Sequence, residues 1–294
     1  MTITEPAYAK LNLTLDILGK RPDGYHDLRM VMQSINLKDT VSVTFKERQG
    51  ITLVTNLNYL PRDHNNIAVK AAELFFRETG IAPVGLTIRV DKHIPVAAGM
   101  AGGSSDGAAV LRILRRALAP DLPEADLEAM ALQVGSDVPY CVRGGTALAE
   151  GRGEVLTDLP PLPDCLLVIC KPGFPISTPE LFSQVRLHRL RCHPDTAGIT
   201  AALSGGDLPG VCRRVYNVFE DVLPRKYRAV GEIKRQLMDL EADAACMTGS
   251  GPTVFGVFTD ELQARRAVET LRRDYPQTFL TRPVGRCAPA DKCG

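Results

Sequence analysis

Pro95-Val96-Ala97-Ala98-Gly99-Met100-Ala101-Gly102-Gly103-Ser104-Ser105-Asp106-Gly107-Ala108-Ala109 decides how the rest of this sequence is read. A glycine-rich turn runs straight into an alanine- and leucine-rich segment ending near Leu118, with the periodicity of a helix. Glycines let backbone N–H groups approach an anion, and a helix that starts there adds the positive end of its dipole. Ser104 and Ser105 supply hydroxyls, and one of them is expected to cap the helix. The spacing fits neither G-x-x-x-x-G-K-[ST] nor G-x-G-x-x-G. The competing interpretation is a tight turn capped by serine, with no ligand.

Upstream, Leu11–Ile17 alternates apolar and polar residues, the pattern of a half-buried strand. Lys10, Asn12, Thr14 and Asp16 are expected on one face and the leucines on the other. Lys20–Gly24 is turn chemistry. Strands are expected at Thr40–Phe45, Ile51–Thr55 and Gly85–Val90, and a helix from Asn66 as cap to Thr79, stopped by Gly80. Downstream, a helix is expected over Glu124–Val134, closed by Gly135. The proline-rich stretch Leu156–Pro163 reads as a boundary, giving one domain over residues 1–158 and another over 159–294. The second half carries a buried strand at Cys165–Cys170 and helices near Thr178–Gln184, Thr196–Leu203, Val211–Leu223 and Tyr227–Leu240. Two strand-like arms flank Thr248–Thr253, and a helix and a final strand follow. Strands mixed with helices, without a regular βαβ repeat, argue an α+β fold.

The totals narrow the function classes. A chain of 294 residues with 45% hydrophobic and 23% charged residues is long enough to bury a core without disulfides or a structural metal. A net charge of +1 gives no reason to expect nucleic acid or an anionic membrane as partner. No apolar run reaches the roughly 18 residues of a membrane span. The N-terminal segment lacks a basic stretch followed by an apolar block, so a cytoplasmic location is expected. Eight cysteines, none in a C-x-x-C pair, read as structural thiols of a reducing compartment.

Four other features invite chemistry, each with a plainer alternative. Asp137, in Gly135-Ser136-Asp137-Val138-Pro139, is either a reactive carboxylate or a helix cap. Lys10 is either part of a site or solvated on a strand face. Thr248-Gly249-Ser250-Gly251-Pro252-Thr253 is either a backbone-rich binding turn or an ordinary β-turn. Tyr25-His26 is either an aromatic and a switchable donor for a ligand, or a packed tyrosine and a surface histidine.

Taken in order, these pieces resemble the GHMP kinases. Pro95–Ala109 is similar to their central motif, Thr248–Thr253 to the third, and Pro6–Leu13 to the first. Gly19-Lys20-Arg21-Pro22-Asp23-Gly24-Tyr25-His26, Gly135–Pro139 and Ala149–Glu154 resemble one branch, the diphosphocytidyl-methylerythritol kinases. The resemblance runs from about residue 5 to about residue 285. Ala101 stands where the family usually has glycine, Gly107 where it has alanine, and Met32 where an aromatic is common; the tail Cys287–Gly294 matches nothing. A methyl at Ala101 matters if that position needs φ > 0.

The resemblance implies a two-domain fold, with an N-terminal domain like the second domain of ribosomal protein S5 and a ferredoxin-like C-terminal domain. It implies transfer of the ATP γ-phosphate to a hydroxyl of a cytidine diphosphate conjugate of methylerythritol, by a monomer or weak homodimer. Asp137 is then the base and Lys10 its partner, holding it ionised. Pro95, Gly99, Met100, Ala101, Gly102, Gly103, Ser104 and Ser105 hold ATP, with Asn65 and Lys92 near the adenine nucleotide. Asn12 orients the substrate, and His26, Tyr25 and Phe182 take the cytosine, with Met32, Thr178, Pro179, Gly249 and Ser250 around it. Mg2+ is expected with ATP, without an assigned protein ligand. The rivals are another enzyme of the superfamily and a non-catalytic relative that kept the fold; the latter should have lost Lys10 or Asp137.

Overall fold

The computed structural model describes residues 1–287, and among these the strands form two sheets. The first is built on two long antiparallel strands, β1 (Thr2–Lys20) and β2 (His26–Lys46). β3 (Ile51–Thr55) and β4 (Gly85–Asp91) extend it past the later half of β2, while β5 (Thr146–Gly151) pairs with Leu28–Gln33 of β2 and carries β6 (Val155–Asp158). β7 (Leu166–Lys171) begins the second sheet. β8 (Tyr216–Asn217) returns to the first, parallel to β1 at Thr14 and Leu15. β9 (Ala244–Met247), β10 (Val254–Phe258) and β11 (Gln277–Thr281) complete the second sheet, in the antiparallel order β11-β7-β10-β9.

Local chemistry sets the helices. In α1 (Ile67–Thr79) the Asn66 side chain accepts from the Ala68 N–H and Gly80 closes the helix at φ 68°. Such a cap contributes about 1 kcal/mol. Its buried stripe, including Ala68, Ala72 and Phe75, packs against α2 (Gly102–Leu118), which lies over β1 and β2. α3 (Glu124–Val134) and α4 (Val138–Arg143) finish that layer. On the second sheet's side lie α5 (Thr178–Gln184), α6 (Thr196–Ser204), α7 (Leu208–Cys212), α8 (Ala229–Asp239) and α9 (Glu261–Arg272).

Two readings of the sequence need correction. Leu11 and Leu13 pack in a seam with Ile169 and Phe255 of the second sheet, whereas Leu15 and Ile17 pack in the core under α2. The strand switches partners where its register shifts between Asn12 and Thr14. Lys10, Asn12, Thr14 and Asp16 are all buried, so β1 is covered on both sides rather than half solvated. Val211–Leu223 is not one helix: α7 ends at Cys212, Tyr216–Asn217 is extended, and a 3₁₀ turn covers Val218–Val222. The cause is Asn217, whose amide donates to the carbonyls of Met247 and Gly249 while its oxygen accepts from the Phe219 N–H. Seven cysteines are free thiols; Cys293 and the rest of the tail beyond Cys287 lie outside the described residues.

Candidate active site

β1 and the glycine-rich loop are fastened backbone to backbone, the Lys10 N–H donating to the Met100 carbonyl at 3.2 Å. This brings the side chains of β1 beside the loop. The Lys10 ammonium, on a residue only 4% exposed, donates to Asn12 Oδ1 at 2.6 Å and stands 3.9 Å from Asp137 Oδ2. Asp137 precedes α4, but its carboxylate makes no capping hydrogen bond. With its side chain 36% exposed, it is a carboxylate open to the cleft, backed by a buried cation. Beneath it, burial pushes the Cys141 thiol up to about 12, so that sulfur is inert.

The Thr248–Thr253 turn meets this cluster from the second sheet. Thr248 Oγ1 accepts from the Asn12 N–H at 2.9 Å. Gly99 and Gly249 face each other with no room for a side chain. A Cβ on Gly99 would stand 2.4 Å from the Thr248 carbonyl oxygen, and one on Gly249 would stand 2.6 Å from that of Gly99; both residues have positive φ. The two glycine turns thus form one wall of the cleft. Ser250 and Thr178 share a 2.6 Å hydroxyl contact that ties α5, with Pro179 in its first turn, to the same wall.

The serines do not cap α2. The cap position is Ala101, in the left-handed region at φ 57°, and the helix begins at Gly102. Ser104 and Ser105 lie inside the first turn, and Ser105 Oγ donates to the Tyr8 carbonyl at 2.6 Å. The first-turn N–H groups of Gly102–Ser104, which lack partners within a helix, are left for a ligand. They border a cavity of about 310 Å³ lined by Asn65, Ile67, Lys92, Pro95–Gly99, Ala101–Ser104 and Asp106. Gly107, one turn further on, leaves no space for a side chain unless Ile67 moves, because a Cβ would come within 2.8 Å of the Ile67 side chain. Lys92 lines the cavity but spends its ammonium on Asp106 Oδ2 at 2.7 Å and on Asp39. Asn65 lies in an exposed turn, where its amide donates to Asp63.

The aromatic end is looser. Tyr25 is 52% exposed, and the Arg152 guanidinium covers one face of its ring at 3.8 Å. His26 stacks on Phe182 at 4.7 Å, and Phe182 meets Phe219 edge-on at 4.9 Å. Partial burial, helped by the charge of Lys20, lowers the His26 pKa and favours the neutral ring near pH 7. Met32 is not at this surface; it is 1% exposed, within the core of the first sheet. The sequence reading passed over Arg152, Asn217, Asp39 and Asp106. Arg152 lay within the quoted Ala149–Glu154 segment and Asp106 within the glycine motif, whereas nothing local marks Asn217 or Asp39.

Two family patterns match the chain: the GHMP kinases N terminal domain over residues 66–145, and the GHMP kinases C terminal domain over residues 199–277. A 4-diphosphocytidyl-2-C-methyl-D-erythritol kinase of Clostridium botulinum is 42% identical over 278 residues, which is 95% of this chain and 99% of the relative. The crystal structure of a 4-(cytidine 5'-diphospho)-2C-methyl-D-erythritol kinase superposes with a TM-score of 0.82 at 31% identity, covering 96% of this chain and all of that one. A homoserine kinase from Cytophaga hutchinsonii, at 17% identity and a TM-score of 0.74, covering 97% of this chain and 95% of its own, shares the fold.

Proposed function

The chain belongs to the 4-diphosphocytidyl-2-C-methyl-D-erythritol kinases, within the GHMP kinases, and on that premise we propose that it transfers the γ-phosphate of ATP to the 2-hydroxyl of 4-diphosphocytidyl-2-C-methyl-D-erythritol, a step of non-mevalonate isoprenoid precursor synthesis. The products are the 2-phosphate and ADP. The observation that carries this reading is the buried Lys10–Asn12 pair beside the open carboxylate of Asp137, fastened through Met100 to the glycine loop.

Phosphoryl transfer asks for positioning and charge neutralisation rather than covalent chemistry. The N–H groups of the first turn of α2 hold the phosphates. Asp137 accepts the proton of the substrate hydroxyl as the oxygen attacks the γ-phosphorus, and Lys10 stabilises the charge on the incoming oxygen. Asn12 keeps the Lys10 ammonium from wandering, which preserves its place relative to Asp137. Tyr25, His26 and Phe182 take the cytosine at the far end.

A magnesium ion brought in with ATP would meet the Ser104 hydroxyl, an oxygen donor at the cavity edge. Among the described residues no group of three or more acidic, His or Cys side chains is placed to hold a metal. When bound, the ion supplies neutralisation of the phosphate charge. The same proposal takes the chain as cytoplasmic, a monomer or weak homodimer, and divided near residue 158. ATP consumption by the purified protein tests the function: turnover with the cytidine diphosphate substrate and none with homoserine or mevalonate is expected, and the reverse preference would overturn it.

A further inference from the structure

Under the first turn of α2 lies a cluster that the phosphoryl transfer does not use. The Lys92 ammonium bonds both Asp106 Oδ2, at 2.7 Å, and Asp39. Asp39 is completely buried and also accepts from the backbone N–H groups of His93 and Ile94, at the entry to the glycine loop. Asp106 is 6% exposed, and its second oxygen, Oδ1, is buried without a hydrogen-bond partner. Lys92 Nζ is 3.3 Å from where a Cβ on Gly102 would stand, so the cluster underlies the helix start that would hold phosphate.

Charge counting makes this arrangement unstable when all three groups are ionised. Two carboxylates on one ammonium leave a net negative charge beside an anion site. Asp39 has two backbone donors besides the lysine. Asp106 has only the lysine, and its Oδ1 has nothing. Burial raises the Asp106 pKa, the attraction of Lys92 opposes this, and the charge of Asp39 adds to it, leaving the group at about 8. The charges that act on Asp106 are those of Lys92 and Asp39. Its neighbours along α2 face uncharged groups, Gly107 lying against Ile67 and Ala71 of α1 and Ser105 against the Tyr8 carbonyl and the Cys141 thiol, while Lys10 and Asp137 pair with each other.

We infer that Asp106 is a positioning residue of the nucleotide site that is protonated when phosphate is bound, keeping the Asp39–Lys92–Asp106 cluster neutral beneath the glycine loop, so that binding draws in a proton wherever the free protein holds Asp106 ionised. The proton comes from solvent and is held on the otherwise unpartnered Oδ1. A bound anion favours the protonated carboxyl, so linkage runs both ways. Nucleotide affinity then falls as pH rises above about 8, with a slope of at most about tenfold per pH unit.

The inference rests on the ATP reading, and calorimetry with ADP separates the two. Heats of ADP binding are measured for the whole chain in two buffers of different ionisation enthalpy, at about pH 6 and about pH 8.5. Uptake of roughly half a proton or more per ADP is expected at the higher pH and little at the lower, where Asp106 is already protonated. Asp106→Asn should abolish the uptake and flatten the pH dependence of Kd. If that variant does not fold, the wild-type proton counts still decide. ADP binding without proton uptake at the higher pH, or uptake that survives in Asp106→Asn, overturns the inference alone. No ADP binding at any pH overturns the nucleotide reading and the inference with it.

Discussion

Lys10 is 4% exposed and bonded to a fully buried Asn12, whereas Tyr25, at the opposite end of the cleft, is 52% exposed with a guanidinium laid over its ring. The end proposed to hold phosphate is made from interior parts: a strand covered on both sides, a helix start and two glycine turns in backbone contact. The end proposed to take the base is made from a hairpin tip, a short helix and stacked rings. The contrast matches what each end has to do. Stabilising a developing charge needs groups already fixed and desolvated. Gripping a flat base needs apolar faces that can close on it, and stacking tolerates small displacements. Substitutions at the first end should therefore act on the rate, and those at the second on binding.

The largest effect should come from the one open carboxylate of the buried end. Asp137→Asn is expected to lower kcat by at least about 10²-fold, the usual contribution of a positioned acid–base group. Its melting temperature should fall modestly, because the carboxylate caps nothing and is partly solvated, but the buried Lys10 ammonium loses its charge partner. Steady-state kinetics and thermal melts check both halves. A variant keeping more than half of the wild-type kcat would remove Asp137 from the role of base and erase the contrast.

A smaller effect belongs to the aromatic end. Tyr25→Ala and His26→Ala should each weaken the cytidine substrate by about 1–3 kcal/mol, the worth of one stacked base, while KM for ATP stays nearly constant. The loss should appear mainly in KM where that binding is uniform. His26→Ala should cost more, because it also unstacks Phe182, which rests edge-on against Phe219. Equal kcat/KM values for both variants and the wild type would show that this end does not read the base.

What the sequence discloses follows the range of the interaction. Asn66 and Gly80 announce the ends of α1, because a cap and a left-handed stop involve only neighbours in the chain. The glycine loop is legible for the same reason. Alternation along β1 marks a strand, but it cannot tell that the second sheet covers the polar side chains or that Leu13 and Leu15 enter different cores. Asn217 is hidden further still. It looks like one more residue of a helical run until the carbonyls of Met247 and Gly249, thirty and more positions away, claim its amide. The Lys10–Asp137 approach likewise joins residues far apart in the chain, and only the family resemblance had paired them.

The smallest predicted effect tests the rigidity of the phosphate end at Ala101. The backbone there suits glycine: at φ 57° and ψ 28° the residue sits in the left-handed region, where a Cβ crowds the following carbonyl. Ala101 is the residue just before α2, so this strain is stored at the mouth of the cavity proposed to hold phosphate. Ala101→Gly removes the methyl and the strain, but it also frees the unfolded chain, which offsets part of the gain. The balance should stabilise the fold by roughly 0.5–1 kcal/mol, a shift of a few degrees at most in a chain of this length. ATP affinity should change by less than about threefold, well under the roughly 1.4 kcal/mol of a tenfold change, since the first-turn N–H groups keep their places. Thermal melts and nucleotide titration check the pair of values. A destabilised variant would mean that the Ala101 methyl contributes packing worth more than its strain, and that the loop is held by side-chain contact as well as by its backbone.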